Sequence, residues 1–261
     1  MKILVTGGAG YIGSILVRQL LQNYGAEIVV VDNLMYGQTP FLDLYNHADF
    51  KFVHGDVRDE TLMKELVKDA DFIIPLAAIV GMPACNKDEK LSRTINFDSI
   101  KWLSDNTSIN QYILYPTTNS GYGAKTGDEF CTEETPLEPL SRYGVDKAEA
   151  EGILLSRGGS TTFRLATVFG LSPRMRLDLL VNDFVYKAYT ESSIVLFESH
   201  FKRNFVHVRD VVDAFVMCIN GTVPEGVFNL GCDQANMSKL ELCHKIKEQV
   251  PNLFIAESQL N

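Results

Sequence analysis

The chain has 261 residues, of which 46% are hydrophobic and 22% charged, enough for one large globular domain with an attached lobe. Lysine and arginine number 24 against 33 aspartate and glutamate residues, and the net charge of −9 disfavours nucleic acid or an anionic membrane as partner. No apolar run approaches the ~20 residues of a membrane span, and the N-terminus does not resemble a signal peptide. The scattered cysteines and histidines lack metal-ligand spacing, so we expect free thiols, no metal and a cytoplasmic location.

Apolar runs alternate with amphipathic segments through most of the chain before residue 170. The predicted strands are Lys2–Val5, Glu27–Val31, Phe50–His54, Ala70–Leu76, Gln111–Tyr115 and Thr161–Leu165. The predicted helices are Ser14–Tyr24, Thr61–Lys68, Ser92–Asn106 and Tyr143–Arg157, and Gly121–Glu138 is a predicted loop. Continuous apolar strands that alternate with helices predict an α/β fold, a Rossmann-type doubly wound parallel sheet.

The pattern becomes mixed after Gly170. The predicted helices there are Leu177–Tyr189, Val208–Ile219 and Ser238–Val250, and the predicted strands are Ser193–Phe197 and Val227–Leu230. We therefore expect two parts, residues 1–170 and a small C-terminal lobe at 171–261. Some elements of the second part are expected to return to the main sheet.

A glycine-rich turn connects the first predicted strand to the first helix. Gly7, Gly10 and Gly13 permit a tight turn in which backbone N–H groups meet a pyrophosphate at a helix N-terminus. Asp32 ends the second predicted strand, where a carboxylate binds the hydroxyls of an adenosine ribose. That carboxylate would repel a 2′-phosphate, and no arginine follows it in residues 33–37. The sequence therefore predicts NAD rather than NADP.

Two further polar residues each allow more than one interpretation. Asp56 follows the third predicted strand and could bind the adenine amino group, or it could stabilise a turn or cap a helix. His207 precedes a predicted helix, and we expect it to cap or pack there rather than to act in catalysis.

A tyrosine and a lysine four residues apart indicate the chemical site. Tyr143 and Lys147 lie on one face of a predicted helix. A nearby ammonium lowers the pKa of a phenol, which would let Tyr143 accept the proton of an alcohol. The hydroxyl-rich segment 115–123 follows an apolar strand, and a hydroxyl in it could complete a Ser/Thr–Tyr–Lys set.

Four segments in this order resemble a known family. They are residues 7–13, the hydroxyl-rich segment 115–123, Tyr143–Lys147, and the run Arg-Asn-Phe-Val-His-Val-Arg-Asp at 203–210. Together they are similar to the extended short-chain dehydrogenase/reductases that act on nucleotide sugars. The run at 163–178 is closer to a subgroup that includes the GDP-manno-heptose 4-dehydrogenases of surface-polysaccharide pathways.

The resemblance implies a role for each matching position. Tyr143 would be the base, Lys147 would bind the nicotinamide ribose and tune Tyr143, and Thr118 would hydrogen-bond the reacting hydroxyl. The implied NAD contacts are Gly7, Gly10, Tyr11, Ile12, Gly13, Asp32, Asn33, Asp56, Val57, Leu76, Ala77, Ala78, Asn96, Tyr143 and Lys147. The implied contacts with a nucleotide-sugar substrate are Thr118, Asn119, Ser120, Thr167, Arg174, Arg176, Asn182 and Arg203.

Departures from the family pattern narrow the expected chemistry. Asn119 and Ser120 stand where the 4,6-dehydratases of the family carry an acidic pair, so dehydration is disfavoured. Thr167 replaces a common substrate-binding asparagine. The favoured activity is NAD-dependent oxidation at C4 of a nucleotide-linked sugar, of the GDP-heptose 4-dehydrogenase type. The alternatives are a nucleotide-sugar 4-epimerase, such as UDP-glucose 4-epimerase, and a catalytically silent NAD-binding regulator.

The resemblance also bears on assembly and on the extent of the chain. The helices at 92–106 and 143–157 correspond to those that form a homodimer bundle in the family. Nucleotide-sugar members usually continue beyond the position where this chain ends. We therefore expect either a truncated C-terminus or a reduced substrate lobe.

Overall fold

A computed structural model describes residues 1–124 and 130–258, and its main feature is a seven-stranded sheet. The strands are β1 (Lys2–Thr6), β2 (Glu27–Asp32), β3 (Phe50–His54), β4 (Phe72–Pro75), β5 (Tyr112–Thr118), β6 (Ser160–Leu165) and β10 (Gly226–Leu230). Their spatial order is β10-β6-β5-β4-β1-β2-β3, and every neighbouring pair is parallel. This confirms the predicted doubly wound α/β fold.

Helices cover both faces of this sheet. They are α1 (Gly13–Tyr24), α2 (Glu60–Val67), α3 (Met82–Lys87), α4 (Glu89–Arg93), α5 (Ser99–Asn106), α6 (Arg142–Arg157) and α8 (Val208–Ile219). Successive side chains of β1 point to opposite faces, so Ile3 packs in the core beneath α1 and α8, whereas Leu4 packs in the core beneath α2, α5 and α6. Burial on both faces explains why the strands have no polar alternation.

The remaining elements form a smaller lobe with its own core. It contains the strands β7 (Thr167–Phe169), β8 (Ser193–Leu196), β9 (Lys202–His207), β11 (Asn236–Ser238) and β12 (Phe254–Glu257), and the helices α7 (Leu180–Thr190) and α9 (Lys239–Gln249). Strands β11, β9 and β7 form one sheet, and β12 pairs with β8. Phe184, Leu196, Phe205 and Leu242 pack together in this lobe. Helix α8 packs on the main sheet and β10 joins its edge, and the division into residues 1–170 and 171–261 stays a prediction.

Two predicted elements have different bounds in the structure. The helix predicted at Ser92–Asn106 contains a π-helical turn at Thr94–Asp98 between α4 and α5. This wider turn carries Asn96, whose amide hydrogen-bonds the backbone of Ile79. Strand β5 continues through Pro116 to Thr118, beyond the predicted end. Proline is tolerated there because β4 pairs with β5 only as far as Ile113.

Several elements were absent from the sequence prediction. They are helix α3 and the strands β7, β9, β11 and β12. All but β9 are short, and each strand pairs with a segment distant in the chain. The predicted loop at Gly121–Glu138 begins with a 3-10 turn at Asn119–Tyr122, and its part at 125–129 lies outside the described residues. In the described parts of the chain, no helix combines the length and apolarity needed to cross a membrane.

Candidate cofactor cleft and active site

In the glycine turn between β1 and α1, backbone segments approach each other so closely that no side chain fits between them. Gly7 has φ +64°, and a Cβ on it would lie 2.8 Å from the carbonyl carbon of Leu76 and overlap the backbone of Ala77. A Cβ on Gly13 would lie 2.6 Å from the Cα of Gly8. No side chain fits at either position, so the N-terminus of α1 stays open to an anion.

A cleft lies along this turn at the carboxyl ends of the parallel strands. Its lining includes nine of the predicted NAD contacts, Gly7, Gly10, Asp32, Asn33, Asp56, Val57, Leu76, Ala77 and Ala78. It also includes Val31, Met35, Tyr36, Gln38, Gly55, Ile79 and Ile95, which the sequence analysis did not identify. Ligands of doubly wound sheets bind at this edge, so the cleft has the expected place for a dinucleotide.

Asp32 connects the end of β2 to the glycine turn. Its carboxylate accepts hydrogen bonds from the backbone N–H groups of Ala9 (3.0 Å) and Leu34 (2.8 Å). The pKa of Asp32 is raised, because burial disfavours its charged form. The two hydrogen bonds and the charge of Arg174 lower it, but by less than burial raises it. The carboxylate is 8% exposed and lines the cleft, as the prediction of a ribose contact requires.

Asp56 stabilises a turn, which is one of its two interpretations, and its contact with the adenine stays a prediction. It lines the cleft, and its carboxylate also accepts hydrogen bonds from the backbone N–H of Arg58 (2.9 Å) and from the Arg58 guanidinium (2.9 and 2.7 Å). These bonds lower the pKa of Asp56 to about 2. The amide of Asn33 also reaches Asp56, at 3.4 Å. Arg58 was missed because nothing in the sequence distinguishes it from a surface arginine.

Three predicted cofactor contacts have side chains that serve other purposes. Tyr11 donates its hydroxyl proton to the carbonyl of Gly170 (2.6 Å). Ile12 immediately precedes α1, and its side chain packs against the core. Asn96 is 1% exposed, and its amide bonds both backbone groups of Ile79, at 2.9 Å each. Asn96 therefore supports the wall of the cleft, because Ile79 lines it.

Helix α6 places Lys147 beneath the end of β5. The Lys147 Nζ donates to the carbonyl of Pro116 (3.0 Å) and lies 4.2 Å from the centroid of the Tyr115 ring. Lys147 is 4% exposed, and burial lowers its pKa to about 7. Burial disfavours the charged form of an amine, which explains the direction of this shift.

Tyr143 lies one turn earlier on α6, and its pKa is shifted against expectation. Its side chain packs beside Ile79, Cys85 and Ile95. Burial raises the pKa of Tyr143 to about 12, while the charge of Arg176 lowers it. The prediction that Lys147 lowers this pKa is wrong for this structure. The Lys147 ammonium instead bonds Pro116, and the apolar surroundings of the phenol dominate.

Thr118 ends β5 next to the N-terminus of α6. Its hydroxyl oxygen accepts the backbone N–H of Ser120 (3.1 Å), which leaves the hydroxyl proton free to be donated. A Cβ on Gly144 would lie 3.4 Å from the carbonyl oxygen of Ser120. The residue after Tyr143 therefore contacts the turn that follows Thr118, and the structure brings the three predicted catalytic residues to one edge of the sheet.

A buried charged network behind these residues was not predicted. Glu151 on α6 accepts hydrogen bonds from Thr117 (2.9 Å) and from the guanidinium of Arg164 on β6 (2.7 Å). Arg164 also donates to the hydroxyl of Tyr122 (2.8 Å). Glu151 is 3% exposed and Arg164 6%, so this network holds α6 against β5 and β6 from within the core.

The segment Gly170–Asn182 lies against the glycine turn. Asn182 is buried, and its amide accepts from the N–H of Gly170 (3.0 Å) and donates to the Tyr11 hydroxyl (3.2 Å) and the Arg176 carbonyl (2.9 Å). These bonds use both amide protons, and this geometry does not support the predicted substrate contact of Asn182. Arg174 lies with its guanidinium carbon 4.7 Å from the centroid of the Tyr36 ring.

The other predicted substrate residues are dispersed. Arg176 is hydrogen-bonded to Asp178, and its charge acts on Tyr143. Thr167 begins β7, and Arg203 is exposed on β9 opposite Met237. Neither Thr167 nor Arg203 lines the described cleft. Asn119 and Ser120 lie in the 3-10 turn after Thr118. His207 caps α8 through its Nδ1, as predicted.

The parallel sheet and the glycine turn define an α/β protein that binds a dinucleotide. The chain belongs to the NAD dependent epimerase/dehydratase family, whose sequence profile matches residues 3–231. It is thus an enzyme of that family, and the predicted cofactor, NAD, is confirmed. The glycines that leave room for a pyrophosphate and the carboxylate of Asp32 fit this cofactor.

Similar proteins act in sugar metabolism. The chain is 32% identical to the low-salt glycan biosynthesis protein Agl12 of Haloferax volcanii, over 96% of this chain and 83% of that protein. It is 26% identical to the dTDP-D-glucose 4,6-dehydratase of Mus musculus, over 94% and 72%. The structure of UDP-glucuronic acid 4-epimerase from Bacillus cereus, with UDP-glucuronic acid and NAD, matches at a TM-score of 0.84 and 25% identity, over 99% of this chain and 85% of that one.

Proposed function

We propose that the protein oxidises C4 of a nucleotide-linked sugar and releases the keto sugar, as a GDP-heptose-type 4-dehydrogenase in surface-polysaccharide precursor synthesis. The observation that carries the proposal is that Tyr143 packs against Ile79 and Ile95 of the cleft wall, with Lys147 and Thr118 at the adjacent end of β5. The glycan-biosynthesis relative supports the same area of metabolism.

Each of the three residues has a distinct task in this proposal. Tyr143, as the phenolate, takes the proton of the C4 hydroxyl, and Thr118 donates a hydrogen bond that orients the reacting oxygen. Lys147 binds the nicotinamide ribose from beneath the end of β5. When bound, NAD supplies the acceptor for the hydride that leaves C4. Because burial raises the pKa of Tyr143 to about 12, proton transfer needs nearby positive charge, and Arg176 supplies part of it.

The floor of the cleft fits NAD and disfavours NADP. Asp32 ends β2 inside the cleft, where its carboxylate would repel a 2′-phosphate. Asn33 and Asp56 line the same end of the cleft. We propose that Asp32 binds the adenosine ribose and that Asp56, fixed by Arg58, lies near the adenine.

Dehydration is disfavoured although a dehydratase is among the relatives. Elimination of water needs a group that can donate a proton to the leaving hydroxyl. Asn119 and Ser120 follow Thr118 here, and neither side chain is an acid. This supports a reaction that stops after oxidation or returns the hydride.

A 4-epimerase is the second candidate. The structurally similar B. cereus protein is an epimerase that was crystallised with its substrate and NAD. Such an enzyme would use the same Thr118, Tyr143 and Lys147, and would return the hydride to the opposite face of the sugar. The two candidates therefore differ in whether the keto sugar leaves before the hydride returns.

A product assay tests the proposal and separates the candidates. The protein is incubated with NAD and with GDP-heptose, GDP-mannose or UDP-hexoses, and the products are identified by NMR together with the absorbance of reduced cofactor. A 4-dehydrogenase gives a keto sugar and one reduced cofactor per product. A 4-epimerase gives the inverted sugar without net reduction. NAD binding without conversion of any nucleotide sugar would favour the silent regulator.

We make further proposals about where the substrate binds and how the protein assembles. We propose that the smaller lobe holds the nucleotide of the substrate, with Arg176 and Arg203 as candidate diphosphate contacts. We also propose a homodimer through the helices at 92–106 and 143–157, where Phe97, Lys101, Gly152 and Ile153 line a groove between α5 and α6. A cytoplasmic location stays a prediction.

A further inference from the structure

Arg174 lies at the end of the cleft formed by β2 and the loop after it. Its guanidinium carbon is 4.7 Å from the centroid of the Tyr36 ring. Tyr36 and Asp32 both line the cleft, and the charge of Arg174 acts on the Asp32 carboxylate. The guanidinium therefore lies close to the adenosine end of the cofactor site.

The backbone of this arginine is fixed to the pyrophosphate end of the same cleft. The N–H of Arg174 donates to the hydroxyl oxygens of Ser172 (3.3 Å) and Ser14 (3.4 Å). Ser172 in turn donates its hydroxyl proton to the carbonyl of Tyr11 (2.7 Å). Because Tyr11 belongs to the glycine turn and Ser14 to the first turn of α1, the Arg174 backbone lies beside the N-terminus that attracts phosphate.

The guanidinium has hydrogen-bonding capacity to spare. Two nearby arginines are paired: Arg176 bonds Asp178, and Arg58 bonds Asp56. Within residues 1–124 and 130–258, the Arg174 side chain has neither a hydrogen-bond acceptor nor a carboxylate at ion-pair distance. Arg174 is nevertheless partly buried in a chain of net charge −9. A planar guanidinium with five donors is well suited to bind a diphosphate with two hydrogen bonds.

We propose that Arg174 is a cofactor-binding residue whose guanidinium, stacked on Tyr36, donates to the NAD diphosphate and closes the adenosine half of the cleft. This reassigns a residue that the sequence analysis placed with the substrate. The proposal rests on NAD dependence and not on the identity of the sugar. Arg174 and Tyr36 together form a clamp that slows the release of NAD.

The test measures binding of NAD to the whole chain without any sugar. Titration calorimetry gives the Kd for NAD, and stopped-flow fluorescence gives the dissociation rate of NADH. Arg174→Gln removes the positive charge and the planar guanidinium. Arg209→Gln is the control, because it removes the same charge from an exposed position outside the cleft. We expect Arg174→Gln to raise the Kd about tenfold to a hundredfold, mostly through faster dissociation, and Arg209→Gln to change it by less than about twofold.

Two more variants resolve the parts of the clamp. Arg174→Lys keeps the charge but loses the planar guanidinium, so we expect an intermediate Kd for NAD. This variant replaces Arg174→Gln if the latter does not fold. Tyr36→Ala removes the ring, and its effect on the dissociation rate is expected to be non-additive with that of Arg174→Gln, because the two side chains are in contact.

The competing assignment places Arg174 on the diphosphate of the substrate, and binding of GDP and UDP to the NAD-loaded protein distinguishes the two. The proposal is overturned if Arg174→Gln changes the Kd for NAD by less than about twofold, whether or not GDP and UDP bind more weakly. Weaker NAD binding with little change in nucleoside diphosphate binding supports it. Neither result depends on the sugar chemistry, so the proposed function can fail or hold separately.

Discussion

The candidate site has two halves: the glycine half is the turn that lines the cleft, and the tyrosine half is the part of α6 that carries Tyr143 beside it. In the glycine half, backbone meets backbone, and a single added carbon on Gly7 would overlap Ala77. In the tyrosine half, side chains tie α6 to β5 through Lys147 and Pro116 and through Glu151 and Thr117. The first half is therefore sensitive to added atoms, and the second to the loss of the Glu151 carboxylate that pairs with Arg164.

The largest effect is expected in the glycine half. Gly7→Ala places a Cβ on the backbone of Ala77 at a residue with φ +64°, so the turn must open and the Kd for NAD should rise by about a hundredfold or more. Gly221→Ala after α8 is the matched control, because Gly221 also has a positive φ (+71°) but a Cβ there meets nothing within 4 Å. Calorimetric titration with NAD measures both. Equal NAD affinity in the two variants would show that the turn does not need its glycine.

The tyrosine half should respond next, through stability. Glu151→Ala leaves the Arg164 guanidinium buried without its carboxylate, and we expect the free energy of unfolding to fall by about 3–5 kcal/mol. Asp43→Asn breaks the more exposed ion pair with Arg18, and we expect a much smaller change in the free energy of unfolding because solvent screens that pair. Urea denaturation of both variants checks this. Losses of equal size would mean that the buried network does not hold α6 in place.

Replacing Lys147 should raise the free energy of unfolding rather than lower it, by an amount that depends on pH. Burial lowers its pKa to about 7, so between pH ~7 and its ordinary pKa of ~10.4 the unfolded chain binds a proton that the folded chain does not. Lys147→Met should therefore raise the free energy of unfolding at pH 7 by roughly 1–3 kcal/mol. It should also abolish turnover, because the proposed contact with the nicotinamide ribose is lost.

The stabilisation by Lys147→Met should shrink as the pH rises towards 10, because the neutral amine then predominates in both states. Thermal unfolding of the variant and the parent across pH 7–10 measures this trend. The exposed Lys90→Met variant is the control, with no such trend expected. A gain from Lys147→Met that stays constant with pH would contradict the role of burial.

The smallest effect concerns the contact between the glycine half and the smaller lobe. Tyr11→Phe removes the hydroxyl that bonds Gly170 and Asn182, and should lower the free energy of unfolding by about 1–2 kcal/mol. Tyr24→Phe at the end of α1 removes a more exposed hydrogen bond, the one from the Asn220 amide, and should have almost no effect. If urea denaturation gives the same small change for both, the hydroxyl does not link the two parts.

The sequence predicted the positions that local geometry imposes. Gly7 and Gly13 were identifiable because their spacing between a strand and a helix is typical of a phosphate-binding turn, and Asp32 because it ends a buried strand. Tyr143 and Lys147 were identifiable because residues four apart share a helix face. These rules use neighbours in the chain, so they need no knowledge of the folded structure.

The remaining contacts depend on segments that only folding brings together. Tyr11 bonds residues 159 and 171 positions away, and nothing in either segment indicates the other. Asn96 was expected along the cofactor, but its amide supports Ile79 instead. The raised pKa of Tyr143 follows from burial, which the spacing of Tyr143 and Lys147 does not reveal.

The central claim is that Tyr143 accepts the proton while NAD-dependent oxidation takes place. The most direct measurement compares wild-type and Tyr143→Phe turnover of whichever nucleotide sugar the NMR assay identifies, after calorimetry has established that both bind NAD. We predict unchanged NAD affinity and a kcat lower by about 10²–10⁴-fold in the variant. A Tyr143→Phe variant that binds NAD and turns over the sugar at the wild-type rate would contradict the account.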